Sequence, residues 1–105
     1  MDRKKTIIKK LSDFKKKVSQ DVPIKNMIFF GSRATGNPHR YSDIDLIVVS
    51  PAFKNMDFFK RGAKMYDYWD LRMPVDFLCY PPEEFKKLSK QTTIVKEAIR
   101  YGIKI

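Results

Sequence analysis

The sequence predicts an α/β (α+β) fold in one domain over residues 1–105, with a small mixed β-sheet flanked by helices. Short apolar runs at 26–30, 44–49 and 74–80 are rich in large side chains, as buried strands are. The stretches around them repeat their apolar residues at helical spacing. Only ten residues separate Ser32 from Asp43, fewer than the roughly dozen that a parallel crossover needs, so the first two strands are expected to be antiparallel neighbours.

Taken in order, Ile7, Leu11, Phe14 and Val18 form the stripe of an amphipathic helix over about 3–19, with lysines on its other face. Asp21-Val22-Pro23 breaks it, and the first strand is expected from about Ile24 to Phe30. Gly31 tolerates positive φ and stops that strand in a turn, after which Arg33-Ala34-Thr35 begins a helical turn. A polar loop follows, holding the one histidine, His39, read as a loop residue, and Arg40, a phosphate candidate like Arg33. The second strand is Ile44 to Val49. Asn55 is the expected N-cap of the next helix, whose Phe59, Ala63 and Tyr66, with Phe58, Met65 and Trp69 beside them, should pack on the sheet. Tyr68 and Trp69 are kept as candidate contacts for a partner or a base. The third strand is Pro74 to Tyr80, and proline followed by Glu83 and Glu84 suits the first turn of a further helix. The last helix, about 93–101, is ended by Gly102, and Ile103 to Ile105 is expected as a short edge strand.

Composition narrows the function. Lys and Arg number 22 against 12 Asp and Glu, a formal charge of +10. Such a field attracts nucleotides, nucleic acid or an acidic protein; the lysine helix lacks interleaved aromatics, so nucleic acid is the less favoured partner. No apolar stretch approaches the roughly 20 residues of a membrane span, and the basic start lacks the apolar core of a secretory signal, so a cytoplasmic location without membrane attachment is expected. The single cysteine, Cys79, cannot form an internal disulfide and sits in an apolar strand, where core packing is expected.

The chemistry concentrates around Gly31, Ser32, Asp43, Asp45 and Asp76. Side chains alternate along a strand, so Asp43 and Asp45 share a face at the start of the second strand. Two adjacent carboxylates repel unless a cation neutralises them, and a hard divalent ion takes carboxylate and phosphate oxygens. Without a Cβ at Gly31, a phosphate can approach the backbone, where the N–H groups of the turn carry partial positive charge; the Ser32 hydroxyl adds a donor. Asp76 lies inside a run that reads as buried, where an unpaired carboxylate would be costly, so it is assigned to the same cluster.

These residues resemble the minimal nucleotidyltransferase family of the DNA polymerase β-like superfamily. The resemblance rests on Gly31-Ser32, Asp43-Ile44-Asp45-Leu46 and the later strand Asp76, with Arg33 and Gly36 also fitting and Thr35 standing where the family is often basic. It covers the chain strongly from Ile24 through Asp76 and more weakly outside. It implies the polymerase β-like fold and catalytic, metal-binding carboxylates at Asp43, Asp45 and Asp76. It further implies triphosphate binding by Gly31, Ser32 and Arg33, with Mg²⁺, as two ions, and ATP as substrate. For so short a member it implies a helical partner. The favoured role is the antitoxin of a toxin–antitoxin pair, transferring AMP to a tyrosine of a HEPN-type toxin. The alternatives are the catalytic subunit of a two-subunit small-molecule nucleotidyltransferase and an antitoxin that acts by docking alone.

Overall fold

The computed structural model describes residues 3–35, 43–91 and 93–105. Gly36, His39 and Arg40 therefore lie outside the described residues, and with them the expected roles of the loop before Asp43. The elements are α1 (Arg3–Ser19), β1 (Asn26–Phe30), α2 (Ser32–Thr35), β2 (Ile44–Val49), α3 (Phe58–Tyr66), β3 (Val75–Tyr80), α4 (Pro82–Gln91), α5 (Thr93–Tyr101) and β4 (Ile103–Lys104), with a 3-10 turn at Pro51–Phe53. The sheet order is β3-β2-β1-β4. β1 pairs antiparallel with β2 and with β4, whereas β2 and β3 run parallel. The sheet is thus mixed, as the sequence predicts.

Alternation along the strands sorts the core into two layers. On one face Met27, Phe29, Ile44, Leu46, Val48 and Cys79 pack beneath α1, through Ile7, Leu11, Phe14 and Val18. On the other, Ile28, Ile47, Val49 and Tyr80 pack with Val95 and Ala98 of α5 and, partly buried, Phe85 and Leu88 of α4. β1 begins at Asn26 rather than Ile24. Gly102 ends α5, its N–H donating to Ala98 O at 2.8 Å, and β4 follows along β1. Among the described residues no helix is long and apolar enough to cross a membrane.

α3 differs from its expected form. Its N-cap is Asp57, whose carboxylate accepts from Phe59 N at 3.2 Å, and not Asn55. The stripe expected to pack inward faces out: Phe59 is 82% exposed and Tyr66 52%, and Ala63 is exposed, while Arg61 and Met65 are buried. Met65, expected beside that stripe, does pack inward, and Arg61 joins it through polar contacts that an apolar count does not register. Arg61 Nε donates to Met56 O at 3.0 Å and Nη1 to Cys79 O at 3.1 Å and to Glu84 Oε2 at 3.4 Å. That guanidinium ties α3 to β3 and to the start of α4. Nor are Tyr68 and Trp69 a free docking pair. Trp69 packs edge-on against Phe14 and Phe77 and donates its indole N–H to Met73 O, and Tyr68 donates to Asp21 Oδ2 at 2.9 Å.

Candidate functional site

The sheet brings the expected site residues to one end. In β2 and β3 the parallel register sets Asp45 opposite Asp76, and in β1 and β2 the antiparallel register sets Phe30 opposite Asp45. Partners across a ladder point to the same face, so Asp45 and Asp76 lie on the α4–α5 side, beyond Ile47 and Leu78 of the layer those helices cover. Asp43, two residues before Asp45, shares that face. Asp43 and Asp45 are half-buried and Asp76 is exposed.

The exposure of Asp76 corrects one step of the sequence reading. Its run reads as buried, yet β3 is an edge strand of the sheet and Asp76, near its start and beyond Leu78, is exposed. Burial therefore does not demand a partner for it. Its assignment to the cluster rests instead on the register with Asp45.

Electrostatics tie the three acids together. The Asp45 carboxyl is pushed above its ordinary range first by burial, then by repulsion from Asp76, then from Asp43. Among the described residues no cation is a cause of that shift, and none of the ion pairs found involves Asp43, Asp45 or Asp76. Three carboxylates thus gather at one end of the sheet on a chain of net charge +10.

Gly31 is built against this patch. It has φ +82°, and a Cβ there would lie 2.1 Å from Asp45 Oδ2, so only glycine fits both the backbone and the carboxylate. Gly31 O then accepts from the N–H groups of Ala34 and Thr35, both at 3.1 Å, which starts α2 at Ser32. Thr35 Oγ1 donates to Ser32 O. Ser32 and Arg33 are half-buried, and Ala34 anchors the turn in the core.

A hard divalent cation fits this donor set in kind: carboxylate oxygens, mutually repelling, at an open end of the sheet. Among the described residues no three His, Cys, Asp or Glu side chains converge tightly enough to hold a metal ion by themselves. Magnesium does not ask for such a cage, since it is usually held by one or two carboxylates plus substrate phosphates and water.

Two cavities flank α2, and the sequence reading assigned neither. On the α5 side a cavity of about 310 Å³ is bounded by Phe30, Gly31, Thr35, Ile94, Glu97 and Tyr101 among others. On the α1 side a cavity of about 240 Å³ lies between Arg33 and the first turns of α1. Both are formed by residues far apart in sequence, so no local pattern signals them.

Comparison with known proteins agrees with this fold. The family described as "Nucleotidyltransferase domain" matches residues 11–103. A crystal structure of a Sulfolobus solfataricus protein assigned as a nucleotidyltransferase superposes with a TM-score of 0.64 at 26% identity, over 80% of this chain and 75% of that one. No match is found among curated protein sequences.

Proposed function

The chain belongs to the nucleotidyltransferase domain family, and from that premise we propose that it moves AMP from ATP to the hydroxyl of a tyrosine on a helical HEPN-type partner, as the antitoxin of a toxin–antitoxin pair. One observation carries the assignment of the reacting groups: Asp45 stands in register with Asp76, repelled by it and by Asp43, with Gly31 closed against its carboxylate.

Asp43, Asp45 and Asp76 would hold Mg²⁺, two ions in the number the family resemblance implies. Bound there, the metal would neutralise charge on the phosphates and on the attacking and leaving oxygens. The remaining roles belong to the chain. Gly31 and Ser32 present backbone and hydroxyl donors to the phosphates, and Arg33 adds a cation. Asp76, exposed on the edge strand, takes the proton of the acceptor hydroxyl. The freed oxygen bonds to the α-phosphorus, the bond from that phosphorus to the β-phosphate oxygen breaks, and pyrophosphate leaves with the electron pair. Little covalent work falls to the protein, so rate depends on positioning and preorganised charge.

The test is labelled ATP with Mg²⁺, given to the protein alone and together with the product of the neighbouring reading frame where that product is a helical protein, followed by mass analysis of both chains. A gain of one AMP on a tyrosine of the neighbour, lost in Asp45→Ala, is the expected result. Transfer to a small molecule by the isolated chain, with none to the neighbour, would replace the antitoxin role with a small-molecule one.

A further inference from the structure

The α5-side cavity opens on the same face of the sheet as the carboxylates. Phe30, in its wall, is the ladder partner of Asp45 and so points to the α4–α5 side. Gly31, also in the wall, lies against the Asp45 carboxylate, so the cavity adjoins that carboxylate across a single glycine. Its outer wall is one face of α5, where Ile94, Glu97 and Tyr101 stand three and four residues apart. Ile94 is 60% exposed and Tyr101 62%, unusual for large apolar side chains with no structural work to do at the surface. Among the described residues Glu97 is the one charged group lining the cavity, on a chain with 22 Lys and Arg. Thr35 Oγ1 donates its hydrogen to Ser32 O, which leaves its lone pairs to accept. A carboxylate and apolar walls repel phosphates, so the lining suits the uncharged end of a nucleotide whose phosphates lie on the neighbouring turn.

We infer that this cavity takes the nucleobase, with Tyr101 as the surface on which the base stacks and Glu97 as the acceptor that selects a base bearing an exocyclic amino group, adenine where ATP is the substrate. The inference rests on the nucleotide site proposed above. Stacking on an aromatic ring holds any base. The choice among bases falls to Glu97, because an ionised carboxylate only accepts: it pairs with an amino N–H and is repelled by a carbonyl oxygen in the same place. About 310 Å³, at the small end of the roughly 300–1,000 Å³ of ligand pockets, has room for a ring system without the ribose and phosphates. The sheet order β3-β2-β1 puts Asp76 on one side of Asp45 and the cavity on the other. An acceptor hydroxyl that reaches Asp76 therefore comes from the β3 side and leaves the cavity to the base.

Calorimetric titration in Mg²⁺ with ATP, purine riboside triphosphate, which lacks the amino group, and ribose 5-triphosphate, which lacks the base, separates these contributions. The wild type should bind them in that order of decreasing affinity. Glu97→Ala should reduce the preference for ATP over purine riboside triphosphate about tenfold. Tyr101→Ala should weaken both purine nucleotides about tenfold relative to ribose 5-triphosphate. Glu83→Ala, which removes an exposed acid of α4, should keep every wild-type ratio. Circular dichroism confirms that each variant remains folded. Wild-type binding of ATP no tighter than ribose 5-triphosphate, an unchanged ATP preference in Glu97→Ala, or the same change in Glu83→Ala would overturn the base pocket. Asp45→Asn distinguishes the two levels. If it abolishes Mg²⁺-dependent binding of ribose 5-triphosphate while Glu97→Ala and Tyr101→Ala behave as wild type, the base pocket falls and the metal-dependent site stands; if Asp45→Asn changes nothing, both fall.

Discussion

Asp45 is held where its ionised form is disfavoured, by burial first and then by Asp76 and Asp43. A carboxyl whose folded pKa lies above its unfolded value contributes stability that is full below the unfolded pKa and is lost as pH rises through the folded one. The metal-free protein should therefore lose stability as pH climbs from about 4 through the raised value. Asp45→Asn should raise its melting temperature at neutral pH and remove the further rise that Mg²⁺ produces in the wild type. Thermal unfolding at pH 4 and 7, with and without Mg²⁺, checks both; a neutral-pH melting temperature that falls in Asp45→Asn would show that the repulsion is answered by a partner. Gly31 is the second residue on which the site turns. Gly31→Ala meets both a positive φ and the Asp45 carboxylate, and should cost about 1–3 kcal/mol of stability while displacing that carboxylate, which denaturant unfolding and ATP titration would register separately. Asp43, Asp45, Gly31 and Ser32 could be read in the sequence because strand alternation and glycine's conformational range act over a few residues. That Asp76 is exposed could not, since which strand forms the edge is decided by the whole sheet.

At the scale of elements, the helices and strands were legible wherever an apolar stripe met a single buried face. α1 buries Ile7, Leu11, Phe14 and Val18 as its spacing requires, and β2, β3 and α5 begin and end within a residue of their expected limits. α3 was legible only in part: Met65 packs inward as expected, but Arg61 shares that face and leaves Phe59 and Ala63 exposed. Arg61 is 8% exposed and its guanidinium meets two carbonyls and Glu84. Arg61→Ala should leave Met56 O and Cys79 O without that donor and destabilise by about 2–4 kcal/mol, whereas Glu84→Gln, at a half-exposed position, should cost under about 1 kcal/mol. Urea unfolding of the two variants makes the comparison, and equal losses would mean that the ion pair rather than the carbonyl contacts holds α3. The same buried layer explains Cys79, whose thiol is pushed up to about 12 chiefly by burial; it is a packing residue, as its apolar setting suggests.

At the scale of the molecule, the sheet order sets what each flank can do. β2 and β3 carry Asp45 and Asp76, the next strand, β1, ends at the Gly31 turn, and beyond that turn lie the cavities on the α5 and α1 sides. The exposed Phe59, Ala63 and Tyr66 of α3 lie on the β3 side, where Tyr66 donates to Val75 O beside Asp76 and packs against Phe77. The antiparallel first pair could be read from the short connection between Ser32 and Asp43, and the strand of Asp76 was expected beside them, as the register shows; the cavities and the place of β4 could not, because they depend on residues far apart in the chain. The central claim is that these carboxylates and the Gly31-Ser32 turn form one metal-dependent nucleotide site. Calorimetric titration of ATP, with and without Mg²⁺, into the wild type and the folded Asp43→Asn/Asp45→Asn variant tests it most directly. A single site predicts Mg²⁺-dependent binding in the wild type and its loss in the variant; undiminished affinity in the variant, or wild-type binding indifferent to Mg²⁺, would contradict it.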